Sequence, residues 1–109
     1  METPIKQAAG IDCGIQELVV SFGLLTANGN FICKLTKVFT NTTKGFQQLL
    51  QWITEISSKD VPVLFVMEAT GVYHEKLAYY LIAHNCRVSI VLPNKVNAFC
   101  KDLHLKKAG

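Results

Sequence analysis

Apolar residues recur at every second position through residues 7–12 and again through 17–26, the period of a β-strand whose two faces meet different surroundings. A third alternating run, 31–39, puts Phe31, Cys33, Leu35 and Phe39 on one face. Asn28-Gly29 separates the second run from the third. Both residues tolerate the positive φ angles of a type I′ turn, so a hairpin is expected there. The first three strands are thereby predicted to form an antiparallel meander.

The period then lengthens to that of a helix. Asn41, Thr42 and Thr43 offer side-chain oxygens for an N-cap, and Phe46, Leu49, Leu50, Ile53 and Ile56 follow at helical spacing. Ser57-Ser58-Lys59-Asp60 closes that helix with polar residues. Residues 61–67 are a continuous apolar run whose length and branched side chains suit a strand buried on both faces. Pro62 falls near the strand start, where its missing N–H is tolerated. Thr70-Gly71 breaks the run, and a second helix is predicted over 72–85 with Tyr73, Leu77, Tyr80 and Leu81 on one side. Residues 87–92 read as another buried strand. Pro93 suits the first turn of a helix, so a third helix is expected over 94–105.

Three meandering strands followed by right-handed α/β crossovers give a mixed five-stranded sheet of order 3-2-1-4-5, the first three strands antiparallel, with helices on both faces. That α/β arrangement is similar to RNase H-like (RuvC-like) domains. No internal repeat, linker or low-complexity segment interrupts it.

Composition narrows the class only a little. The 109 residues, half of them apolar and 17% charged, suffice for one buried core and are too few for two. No apolar run nears the roughly 20 residues of a membrane span. Lys6 is followed by Gln7 and small residues rather than a signal pattern, so a cytoplasmic, non-membrane protein is expected. A formal net charge of +3 permits nucleic-acid binding without arguing for it. Cys13, Cys33, Cys86 and Cys100 form no ligand motif and sit beside apolar neighbours, as reduced core fillers would.

Among eight carboxylates, Glu2, Glu17, Glu55, Asp60, Glu75 and Asp102 fall on a terminus, a strand start, a loop or helices, where solvated charges are ordinary. Asp12 and Glu68 differ, because each ends an apolar strand, A-A-G-I-D and L-F-V-M-E. In the expected topology strands one and four are parallel neighbours, so their carboxyl ends meet at the place where open α/β sheets gather ligands. Two like charges there call for a cation or a shared proton, and oxygen-only ligation suits Mg²⁺ or Mn²⁺. The competing role for each is to cap a neighbouring backbone group at a strand end.

The chain resembles the N-terminal catalytic domain of DEDD transposases of the insertion-sequence-110 type. The matching stretches are Gly10-Ile11-Asp12; Phe39-Thr40-Asn41-Thr42, then Gly45-Phe46, Leu49-Leu50 and Trp52; Met67-Glu68-Ala69-Thr70-Gly71-Val72-Tyr73-His74; and Arg87-Val88-Ser89-Ile90-Val91-Leu92-Pro93-Asn94-Lys95-Val96. Glu-Ala-Thr-Gly-x-Tyr is the most specific of them, and together they cover nearly the whole chain. The resemblance implies a RuvC-like domain whose first two acidic residues are Asp12 and Glu68, and whose third and fourth lie in an Asp-x-x-Asp motif after a basic stretch. Lys106-Lys107 would belong to that stretch, so residues 1–109 are expected to be a single domain incomplete at its C-terminus, lacking the last acidic motif and the family's serine domain. Cys13-Gly14-Ile15-Gln16 departs from the small residue and Lys often found after the first aspartate. The resemblance also implies metal-dependent strand cleavage and exchange on DNA, a guide RNA encoded by the element, and a homo-oligomer. For this chain by itself, inactivity and at best weak Mg²⁺ or Mn²⁺ binding are expected.

Tyr73 either stacks on a base or packs underneath the second helix, and the spacing favours packing. His74 either touches a phosphate or is a first-turn surface residue, and the latter is favoured. His84 and His104 are expected to be structural. Lys95, Lys101, Lys106 and Lys107 make the C-terminal segment the most basic, fit equally for phosphates or for water. Trp52 is expected in the core or at a contact between protomers. Two other functions remain open. Gly10-Ile11-Asp12-Cys13-Gly14 imitates the phosphate hairpin of actin/sugar-kinase-like ATPases, although the Thr or Ser that usually follows is missing. The third is a catalytically silent nucleic-acid-binding fragment.

Overall fold

The computed structural model describes residues 4–26, 31–69 and 71–91. Strands β1 (Pro4–Cys13), β2 (Glu17–Thr26) and β3 (Phe31–Thr40) form the expected meander, each antiparallel to the next. Helix α1 (Thr43–Ile56), strand β4 (Val63–Glu68), helix α2 (Glu75–Ala83) and strand β5 (Arg87–Val91) follow. β4 lies parallel to β1, and β5 parallel to β4, so the sheet reads β3-β2-β1-β4-β5. Order and strand directions are those predicted. Asn28-Gly29 and the helix expected over 94–105 lie outside the described residues.

Alternation sorts the sheet into two faces. Ala9, Ile11 and Cys13 of β1, Leu18, Val20 and Phe22 of β2, and Phe65 and Met67 of β4 form one core with Phe46, Leu49 and Ile53 of α1 and Leu77, Ala78 and Leu81 of α2. Both described helices therefore cover the same face. The two crossovers, β3 to β4 through α1 and β4 to β5 through α2, step in the same direction across the sheet. Right-handed connections then place both helices on one side. The opposite face carries Asp12 and Glu68.

Several boundaries differ from expectation for local reasons. β4 starts after Pro62, whose carbonyl accepts from the Gln7 amide (3.3 Å). Gln7, only 1% exposed, also ties down the α1–β4 connection. Its Nε2 donates to the carbonyls of Ser58 (2.9 Å) and Val61 (2.6 Å), and its Oε1 accepts from the Ser58 amide (2.6 Å). α2 starts at Glu75 rather than 72, because Gly71, at φ +60°, and the next residues make turns first. It ends in a Schellman arrangement. Asn85 is left-handed (φ 65°) and donates to the Ile82 carbonyl, while the Cys86 amide donates to Leu81.

β3 departs from simple alternation. Leu35 stands opposite Phe22, but Cys33 stands opposite Gly23, so one residue of β3 bulges between them. The bulge moves Cys33 to the face opposite Leu35 and Phe39, where its Sγ lies 3.9 Å from the Thr36 hydroxyl. The expected grouping of Cys33 with Leu35 and Phe39 is thus corrected. Among the described residues no helix is long and apolar enough to cross a membrane.

Candidate active site

The ladder between β1 and β4 sets the site. Ile11 stands opposite Met67, and both are buried under the helices. The next residue of each strand, Asp12 and Glu68, therefore emerges on the other face, at the same level. Parallel neighbours lie about 4.8 Å apart, so the two carboxylates share one short space. Asp12 also pairs with Val19 of β2 and Glu68 with Val91 of β5, while Val38 of β3 faces Val19. A row Val38–Val19–Asp12–Glu68–Val91 thus crosses the sheet with its only charges at the centre. Below it runs Thr36–Ser21–Gly10–Val66–Ser89, in which Gly10 presents no side chain to the floor between the strands. Asp12 is exposed and Glu68 half-buried.

Both strands turn away immediately beyond the carboxylates. After Asp12 the chain bends through residues 14–16, with the Gly14 amide donating to the Glu17 carbonyl at 2.8 Å. After Glu68 the Ala69 amide donates to the Val91 carbonyl, and Gly71 takes the left-handed conformation. Asn41, at the junction of β3 and α1, touches both bends. Its Nδ2 donates to the carbonyls of Gly14 (2.8 Å) and Tyr73 (3.0 Å), and its own amide donates to Gln16 (2.9 Å). The N-cap role that the sequence shared among residues 41–43 falls to Thr42 alone, whose Oγ1 accepts from the Gly45 amide at 3.1 Å. The sequence marked Asn41 as a capping candidate and as part of the family-matching stretch, with no sign of its contacts to the two bends.

Cys13 follows Asp12 but faces the core. Burial first, and the Asp12 charge second, push its thiol up from 9.0 to about 12, so it stays protonated at neutral pH. Cys33 and Cys86 are free thiols as well, and Cys100 lies outside the described residues. His74 corrects the surface assignment. It is 8% exposed, and its Nδ1 has no hydrogen-bond partner among the described residues. Tyr73 corrects the favoured packing, being 40% exposed, because the turn at 71–74 precedes the helix that was to bury it. His84 is structural as expected, its ring stacked on Tyr80 and its Nδ1 2.7 Å from the Tyr80 carbonyl. Trp52 is half-buried against the core, tilted on Phe39 at 5.6 Å, with the Lys37 ammonium near both rings. Lys95, Lys101, Lys106, Lys107 and His104 lie outside the described residues.

The donors at the site are two carboxylates, which suit a hard divalent cation and not a thiolate-loving one. Among the described residues no cluster of three or more His, Cys, Asp or Glu could hold a metal. The donor set therefore fits such an ion in part.

The sheet order and the strand directions define an RNase H-like fold. Solved structures of similar shape include the fowlpox virus Holliday junction resolvase, with a TM-score of 0.60 at 13% identity over 93% of this chain and 74% of that one. Thermus thermophilus RuvC in complex with a Holliday junction substrate gives 0.59 at 14% identity, over 91% and 75%. At those identities the likeness concerns the fold alone. The sequence is more specific. The family pattern described as transposase, the DEDD type of insertion sequence 110, matches residues 9–108, and the chain belongs to that family. The pilin gene-inverting proteins of Moraxella bovis and Moraxella lacunata are each 40% identical to it over 68 residues, 62% of this chain and 21% of theirs. The chain thus spans about a fifth of the length of these curated relatives.

Proposed function

We propose that Asp12 and Glu68 are the first two carboxylates of a centre that cuts and rejoins DNA strands during transposition. The observation that carries this reading is their placement at one level, on the face opposite α1 and α2, at the carboxyl ends of adjacent parallel strands. A divalent ion, Mg²⁺ or Mn²⁺, would be held between Asp12 and Glu68 and would polarise a phosphodiester and stabilise the leaving oxygen. The residues themselves supply negative charge fixed by the sheet and a floor without bulk at Gly10. Tyr73, exposed at the rim, is placed to stack on a base; His74, being buried, would touch a phosphate only after a rearrangement. The basic segment with Lys95, Lys101, Lys106 and Lys107 would add phosphate contacts.

Two carboxylates hold a divalent ion weakly. Full activity would require the family's Asp-x-x-Asp pair to complete the set, with an element-encoded RNA as guide and a homo-oligomer as the acting form. A nucleotide-phosphate hairpin is disfavoured because the Gly14 amide is committed to Glu17. Asp12→Asn and Glu68→Gln, made in a full-length protein carrying this domain, should each abolish strand exchange while the circular dichroism spectrum stays unchanged. Wild-type recombination in either variant removes the assigned roles.

A further inference from the structure

We infer that Asn41 is a positioning residue that fixes the spacing of Asp12 and Glu68 by clamping the two bends behind them; the inference rests on the proposed role of those carboxylates. The sheet ladder aligns β1 with β4 only through Ile11 and Met67. Beyond that pair the chains part, one returning as β2 and the other crossing to α2. Nothing in the ladder holds their diverging ends together.

Asn41 spans that gap. A carboxamide nitrogen carries two hydrogens, and here each goes to a different bend, one to Gly14 and one to Tyr73. The backbone amide of Asn41 adds a second bond to the first bend, at Gln16. Both neighbours of Nδ2 are carbonyl oxygens, so only this orientation of the amide satisfies them. Helix capping does not account for the residue, because Thr42 performs it. Aspartate has nearly the same shape but no hydrogens, and would set a charged oxygen against two carbonyls. Groups that orient metal ligands from behind characteristically change metal affinity by about 10- to 100-fold when altered.

The test is a Mn²⁺ titration of the 109-residue chain, read as paramagnetic broadening of amide resonances next to residues 12 and 68, with melting temperature recorded in parallel. Asn41→Asp and Asn41→Ala should each raise the Mn²⁺ concentration for half-maximal broadening by about tenfold. Thr42→Ala, which removes the helix cap, should lower the melting temperature without moving that concentration. If the Asn41 variants titrate like the parent while Asp12→Asn loses the broadening, the clamp is refuted and the carboxylate site stands. If Asp12→Asn keeps the broadening, or the parent shows none at residues 12 and 68, the site and the clamp fall together. If Thr42→Ala shifts the titration as far as Asn41→Asp, the effect is general loosening and the positioning role is overturned.

Discussion

Position 45 has no room for a side chain. Gly45 lies in the first turn of α1, which begins directly against the end of β3, and a Cβ there would overlap the carbonyl and hydroxyl of Thr40. The obstacle is largely backbone, so relief requires the helix to move away from the sheet it covers. Gly45→Ala is therefore expected to destabilise the domain by about 2–3 kcal/mol, the range of an overpacked core, despite alanine's better helix propensity. Thermal unfolding should show the midpoint falling by about 10 °C or more. An unchanged midpoint would mean that α1 can be displaced at no cost. Asp12 and Glu68 were legible as candidates because a charge closing an apolar strand stands out in one dimension. Gly45 and Asn41 were not, since their roles depend on what lies across the chain from them: Thr40 in one case, two loop carbonyls in the other.

Elements were more legible than their edges. All seven described elements occupy segments that the apolar pattern marked: burying one face imposes period two on β1–β3 and about 3.6 on the helices, while β4 and β5 stood out as apolar runs. The errors fall where hydrogen bonding rather than burial decides: the bulge in β3 that turns Cys33 over, and the turns before α2 that leave Tyr73 outside. Gln7 belongs to the same class. In the sequence it is one polar residue in an apolar strand; in the fold it supplies three hydrogen bonds to the loop that delivers β4 alongside β1. Gln7→Leu keeps most of the volume but leaves Ser58 and Val61 without those partners. A loss of about 2–3 kcal/mol is expected, seen in urea as a lower midpoint with an unaltered slope. A lower slope instead would indicate that the loop and β4 detach as a separate unit.

At the scale of the whole molecule, the strand order makes β1 and β4 interior and leaves β3 and β5 as edges. β1 bonds to strands on both sides and contributes Ala9 and Ile11, 0% and 1% exposed, to the core. β5 pairs on one side only and is at most half-buried, which corrects the buried strand expected over 87–92: at the sheet edge its residues stay partly in solvent. Local opening should therefore be rarest at the β1–β4 seam and most frequent at the edges. Native-state hydrogen exchange of the chain should show amides of residues 8–11 and 65–67 exchanging slowest, at rates set by global unfolding. Those of β5 should exchange at least about tenfold faster, a difference of about 1.4 kcal/mol in opening free energy. The distribution matters for chemistry, because charges that act on a reacting phosphate must already be in place, and elements that rarely open hold them better than loops. If the seam exchanged as fast as β5, Asp12 and Glu68 would sit on a mobile frame. Their common level would then be one arrangement among several rather than a prepared site.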